Sequence, residues 1–248
     1  MKKIAIFLLC TVLLLGGACR QEQKPAADSA GKNGIPAQSE YPAQNHAADT
    51  HAEKTIYLTF DDGPTDSTTP KILDILKNEN VKATFFVIGR QISGREKILF
   101  RESAEGHAIG IHTQTHEYKK IYDTEETLLA DIRACKASIR KVFPDFETDL
   151  YRFPGGSFGV KKELIAAVEK AGYRHYDWNA SAEDAVSANA SAEDLYNNVL
   201  LSAGNKKNVI LLMHDGVGYK STIACLPSVI RHFRSGGYTF STLKNGIE

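Results

Sequence analysis

From Lys54 onward the chain alternates short β-rich runs with amphipathic helical stretches. Such alternation argues for a largely parallel sheet, because parallel neighbours must be joined by a crossover and a helix serves as one. Strands are expected over residues 55–61, 82–88, 107–112, 150–153, 173–178, 209–214 and 238–241. Helices fall between them. Asp123 with Glu126 makes a capping-box-like start for one helix, on which Leu129, Ile132, Cys135, Ile139 and Val142 recur at helical spacing until Pro144 stops it. The 195 residues from 54 to the end are enough for one domain with a full core, and seven strands suggest a single (β/α) barrel shorter than the eight-stranded standard.

Chemistry-bearing side chains cluster at the ends of these strands. Thr59-Phe60-Asp61-Asp62-Gly63-Pro64 closes the first, His112-x-x-x-His116 the third, Tyr151-Arg152-Phe153-Pro154-Gly155 the fourth and Leu211-Leu212-Met213-His214-Asp215 the sixth. In a barrel, side chains at several strand ends converge on one mouth. Two carboxylates, a His pair and a further His gathered there point to metal-assisted hydrolysis. Successive side chains of an extended strand face opposite ways, so two carboxylates in one pocket require the chain to turn at Asp61-Asp62, and Gly63-Pro64 supplies a turn.

In this order the four motifs resemble those of polysaccharide deacetylases of the NodB-homology type, and the resemblance extends from Lys54 to Leu243. It implies a distorted (β/α)7 barrel, a divalent metal and hydrolysis of N-acetyl groups on amino-sugar polymers. Zinc is the metal expected, with cobalt and others as alternatives. Two imidazoles and one carboxylate leave a coordination position open, which marks a catalytic site, and Asp62, His112 and His116 offer that set. The i, i+4 spacing of the two His would put both on one face of a helical turn. By resemblance Asp61 is the general base toward the attacking water. Arg152 would hold it ionised, since an opposite charge lowers a carboxylate's pKa. A backbone N–H near Gly155, where relatives often carry Tyr, would meet the oxyanion. His214 would be the general acid for the departing amine. Trp178 and Leu212 are the remaining candidate substrate contacts, with Trp178 equally readable as core.

One motif departs from the pattern. Relatives often show two acidic residues three apart after a Trp, whereas Trp178-Asn-Ala-Ser181-Ala-Glu-Asp184 has Ser at the first. Asp184, Asp177 and Asp215 are candidates to tune His214, with Asp184 the first choice. The same hexapeptide, Asn-Ala-Ser-Ala-Glu-Asp, recurs at 189–194, where Ser191 with Asp194 reads as a helix N-cap.

Ahead of the fold, residues 1–19 read as an export leader: Met-Lys-Lys, the apolar run Ile4 to Leu15, then Gly16-Gly17-Ala18-Cys19. A Cys after small residues suggests a bacterial lipoprotein with Cys19 as its lipidated N-terminus; cleavage without lipid is the alternative. Residues 20–53, rich in Ala, Gln, Pro, Asp and Asn without apolar periodicity, read as a disordered tether. Without the leader, 28 basic residues face 30 acidic ones, a balance unlike a nucleic-acid or polybasic membrane surface. Cys135 and Cys225 lack metal-ligand spacing and read as small buried hydrophobes. The expected enzyme is thus exported and deacetylates N-acetylglucosamine in a surface glycan, peptidoglycan first. Chitooligosaccharide, exopolysaccharide or acetylated xylan are alternative substrates. A non-catalytic sugar-binding domain has no use for both a base and an acid. The oligomeric state is left open.

Overall fold

The computed structural model describes residues 54–186 and 189–245, so the expected leader and tether lie outside the described residues. The chain order begins with β1 (Lys54–Asp61), α1 (Thr69–Asn78), β2 (Thr84–Val87), α2 (Gly89–Ile92), α3 (Glu96–Ala104), β3 (Ala108–Ile111), α4 (Tyr118–Ile121) and α5 (Glu125–Arg140). It continues with β4 (Leu150–Tyr151), α6 (Lys162–Lys170), β5 (Arg174–His175), β6 (Ala180–Ser181), α7 (Ala192–Ala203), β7 (Asn208–His214), α8 (Lys220–Ser235) and β8 (Tyr238–Ser241). All ladders are parallel, in the order β5-β4-β3-β2-β1-β7-β6, which curls into the barrel. β7 pairs along 55–61 of β1, while β8 takes the first half of the other edge and β2 the second.

Two details differ from the sequence expectation. The run 173–178 is a strand only at Arg174–His175, and the two-residue β6 follows it, so His214 ends the seventh strand rather than the sixth. A two-residue ladder leaves no alternating pattern to detect. The cap of α5 is also shifted by one: Thr124, not Asp123, accepts from the Thr127 N–H, and the Thr127 hydroxyl accepts from the Thr124 N–H. With the N-cap there, the buried stripe runs Leu128, Ile132, Cys135, Ile139, and Leu129 is only partly covered. The cap expected at Ser191 forms, its Oγ accepting from the Asp194 N–H at 3.1 Å. Cys135 and Cys225 are both buried and free.

Period-two alternation decides what faces the site. In β1, Ile56, Leu58 and Phe60 join the larger core under the helices, whereas Tyr57 belongs to a smaller cluster inside the barrel with Phe86, Ala108, Leu150 and Ile210. Thr59 and Asp61 continue the Tyr57 row, Leu212 and His214 continue Ile210, and Arg152 continues Leu150. The apolar floor of the barrel and its polar mouth are therefore the same rows, read bottom to top. Full burial of each outward Ile or Leu is worth about 1.5–3 kcal/mol.

Gly110 sits on the inner face of β3, opposite Phe86 in register. A Cβ there would come within 2.5 Å of the Phe86 ring and 3.2 Å of Leu150 Cβ. Phe86 in turn lies 4.3 Å beneath the Arg152 guanidinium. Gly110→Ala is therefore expected to destabilise the domain by about 1–3 kcal/mol through overpacking, read by denaturant unfolding; an unchanged midpoint would contradict this packing.

Candidate metal centre and active site

Asp61 is the last residue of β1 and 3% exposed, and Asp62 takes φ +80. That left-handed residue, which Asp tolerates better than most side chains, lets both carboxylates enter one pocket. The chain thus turns at Asp62 itself, one residue ahead of Gly63-Pro64. Asp61 is clamped from across the barrel by Arg152, which has no solvent exposure. Its Nη1 donates to Asp61 Oδ1 at 3.0 Å and to Thr59 Oγ1 at 2.7 Å, and its Nε donates to the Tyr176 carbonyl at 2.8 Å. Nη2 reaches the Asp177 carbonyl at 3.4 Å. Burial raises the Asp61 pKa above its ordinary value, while the charges of Arg152, His214 and His116 pull it back.

Asp62, His112 and His116 bring one ligand atom each to within 4.8 Å of one another. Asp62 Oδ1 lies 3.7 Å from His112 Nε2 and 3.5 Å from His116 Nε2. Ligand bonds of about 2.1 Å at tetrahedral angles put ligand atoms about 3.4 Å apart, so these separations suit one small cation. Two further observations agree. Asp62 Oδ1 is buried and has no hydrogen-bond partner among the described residues. His112 Nδ1 is 2.9 Å from the Arg152 carbonyl, which can only accept, so the proton sits on Nδ1 and the Nε2 lone pair faces Asp62. Burial lowers the His112 pKa to about 3, keeping the ring neutral as a ligand must be.

The helical turn expected between the two His is absent. Residues 112–117 form a loop in which Thr113 and His116 have φ +71 and +55. Asp131 of α5 ties this loop down, accepting from the Gln114 N–H at 2.5 Å and the Thr115 hydroxyl at 2.8 Å. The Gly89 and Arg90 N–H groups of α2 donate to the Thr113 and Gln114 carbonyls. A strained loop held from two sides delivers His116 to the spot a helix would have offered.

His214 ends β7 in register with Asp61. Its Nδ1 donates to Asp184 Oδ1 at 2.7 Å, and its backbone N–H donates to Asp184 Oδ2 at 2.8 Å. Thr222 Oγ1 of α8 donates to the same Oδ2 at 2.7 Å. Burial by itself lowers the His214 pKa, but the bond to Asp184 and the charges of Asp184, Asp61 and Asp62 outweigh it and raise it to about 9. Of the three candidate carboxylates it is Asp184 that touches His214. Asp177 accepts from Ser157, through its N–H at 2.9 Å and its hydroxyl. Asp215 accepts from Thr69 Oγ1 at 2.6 Å, and burial raises its pKa to about 7. Ser181 accepts from the Glu183 N–H at 3.0 Å and so shapes the turn, with Glu183 at φ +57, that presents Asp184.

Asp61, Asp62, His112, His116, Asp184 and His214 share one cavity of about 320 Å³, also lined by Gly155, Trp178, Leu212 and Tyr118. Leu212 is 6% exposed; Trp178 is half-buried, lining the cavity while packing on the inner cluster. Tyr219 stacks on the His214 ring at 5.3 Å between centroids. Thr59, Asp131, Thr222 and Tyr219 carry no signal in sequence, since each serves the site only through contacts made across 16 to 93 positions of chain or by facing a ring once folded.

The sequence pattern of the polysaccharide deacetylase family matches residues 48–176. A peptidoglycan-N-acetylglucosamine deacetylase of Bacillus cereus is 34% identical over 192 residues, which cover 77% of this chain and 87% of that protein. Among solved structures, a CE4 esterase of Streptococcus mutans aligns with a TM-score of 0.73 at 31% identity, over 77% of this chain and 86% of that one. The catalytic domain of a peptidoglycan N-acetylglucosamine deacetylase of Eubacterium rectale aligns with a TM-score of 0.73 at 30% identity, over 80% and 92% of the two chains. The chain belongs to the polysaccharide deacetylase family and has its distorted (β/α)7 barrel.

The donor set makes a direct prediction. Asp62→Ala, His112→Ala and His116→Ala each lose stoichiometric metal, measured by elemental analysis after dialysis against zinc, while retaining the thermal transition of the metal-free protein. A variant that keeps full metal removes that residue from the set.

Proposed function

We propose that this polysaccharide deacetylase removes N-acetyl groups from N-acetylglucosamine units of a cell-surface glycan, peptidoglycan first, with a zinc ion held by Asp62, His112 and His116. The observation that carries the reading is a paired arrangement at adjacent strand ends: a carboxylate clamped by a buried guanidinium, and an imidazole clamped by a buried carboxylate. Amide hydrolysis needs both, because water must lose a proton to attack and an amine leaves well only when protonated. When bound, the cation supplies Lewis acidity that polarises the acetamide carbonyl and makes water more acidic. Asp61 takes the water proton, and Arg152 keeps its carboxylate charged and aimed. The Gly155 N–H offers a donor to the oxyanion. His214 passes a proton to the sugar nitrogen as the C–N bond breaks, leaving acetate and a free amine. Leu212 and Trp178 wall the acetyl group and the sugar ring.

Peptidoglycan is favoured because the Bacillus cereus and Eubacterium rectale relatives carry that substrate in their names. Residues 1–19 serve as the export leader and Cys19 as a lipid anchor, so the domain works outside the membrane; a mature N-terminus at another residue would refute the anchor alone. Acetate release from peptidoglycan, N-acetylglucosamine oligomers and acetylated xylan, with and without a chelator, tests the activity. Chelator-sensitive release, greatest from peptidoglycan, is expected, and no release from any of them would refute the reading.

The acid–base assignment also fixes a pH profile. His214 must be charged to act, so kcat/KM holds below a pH of about 9 and falls as pH rises through that value. Asp61 must be ionised, so kcat/KM falls again on the acid side. Asp184→Asn removes the hydrogen-bonded charge that raises His214, and the alkaline limb moves down toward the ordinary histidine value of about 6.5, the acid limb staying in place. His214→Ala loses about 100- to 10,000-fold in kcat at unchanged metal content. An alkaline limb that stays put in Asp184→Asn but moves in Asp177→Asn or Asp215→Asn contradicts the assignment.

A further inference from the structure

The wall of the cavity beside Gly155 is closed by an aromatic side chain from a different element. Tyr118, the first residue of α4, lines the cavity. Its ring meets His116 edge-on at 5.3 Å and Tyr122 edge-on at 5.8 Å. Tyr122 Oη in turn donates to the Pro154 carbonyl at 2.8 Å, so the aromatic pair is fastened to the loop that carries Gly155. Gly155 has φ +77, and a Cβ added to it would lie 3.0 Å from Tyr118 Oη and 3.2 Å from Tyr118 Cε1. The phenol therefore stands in the space that a side chain at 155 would enter. A side chain at 155 would thus meet two obstacles, the positive φ of the backbone and the hydroxyl already there.

Tyr118 remains 48% exposed, and its hydroxyl makes no hydrogen bond to another described residue. A side chain held on two sides by ring contacts loses little further freedom on binding a ligand. A phenol carries one O–H donor, and a free donor at the rim of a catalytic cavity is suited to a polar, oxygen-rich ligand. A pyranose with its acetamide presents several such acceptors.

We propose that Tyr118 is a substrate-contacting residue, its hydroxyl donating to an oxygen of the N-acetylated sugar bound beside Gly155, with the Tyr118–Gly155 contact setting the width of the site on that side. The inference rests on the deacetylase reading above. It gives α4 a role that the metal ligands and the acid–base pair do not require.

The test compares wild type and Tyr118→Phe in the full chain, with bound metal by elemental analysis, acetate release from N-acetylglucosamine tetramer, and calorimetric binding of that tetramer. Removing one oxygen leaves the ring contacts with His116 and Tyr122 in place, so metal content stays at the wild-type value. The expected loss is about tenfold in kcat/KM, carried by KM and matched by weaker tetramer binding, as deletion of a uniform ground-state contact should give. A Tyr118→Phe protein with wild-type KM and affinity overturns the inference. So does a loss of activity that follows a loss of metal, because Tyr118 would then act only by supporting His116. A wild-type protein that releases no acetate from any glycan refutes the deacetylase reading itself and this inference with it; an active wild type with an unchanged Tyr118→Phe refutes this inference alone.

Discussion

A guanidinium with no solvent exposure stands inside the barrel, and the mouth is organised around it. Stripping an arginine of water costs several kcal/mol, which only full hydrogen bonding and an opposite charge offset. Arg152 obtains both: Asp61, Thr59 and the carbonyls of Tyr176 and Asp177 accept from its nitrogens, and the Phe86 ring lies under its plane. Removing one partner of such a pair costs about 3–5 kcal/mol, because the remaining charge stays buried and unpaired. The pair thus fixes β1 against β4 and the 176–177 segment, and it sets the direction in which Asp61 points. Arg152 also bears on the proposed metal site, since its carbonyl fixes the tautomer of His112. One residue orients the proposed base through its side chain and a proposed metal ligand through its backbone.

The same logic repeats on the other side of the cavity with the charges exchanged. Asp184 is nearly buried and collects three donors, the His214 ring, the His214 backbone N–H and the Thr222 hydroxyl. The proposed base is held by a cation and the proposed acid by an anion. Because Asp61 and His214 are register partners on neighbouring strands, their opposite protonation needs are met within one cavity. A protein that only bound sugar would have little reason to bury Arg152 and Asp184 in this way.

Much of this was legible in the sequence because it depends on short-range pattern. Alternation in β1 and β7 fixes which side chains face inward, so Asp61 and His214 could be placed at a common mouth from residue order alone. The four motifs sit at strand ends as expected, although β6, with two residues, was too short to register and displaced the count. What could not be read depends on tertiary contact. The His pair looked helical by spacing, yet Asp131 and α2 hold it in a loop whose positive φ values no periodicity announces. The carboxylate for His214 stayed open among three because Asp177, Asp184 and Asp215 are alike as residues; Ser157 and Thr69 occupy the other two, and only the fold reveals that. The serine at 181 broke the family pattern and proved to shape a turn.

The claim at the centre is that Asp61 and Asp62, adjacent in sequence, do different work: one moves a proton, the other holds the cation. The most direct measurement is zinc content together with acetate release for Asp61→Asn, a change that keeps the shape and one acceptor oxygen for Arg152 while removing the base. Stoichiometric zinc with a loss of about 100- to 10,000-fold in kcat is the predicted result. Stoichiometric zinc with near-normal turnover would contradict the account, as would a protein that has lost its zinc.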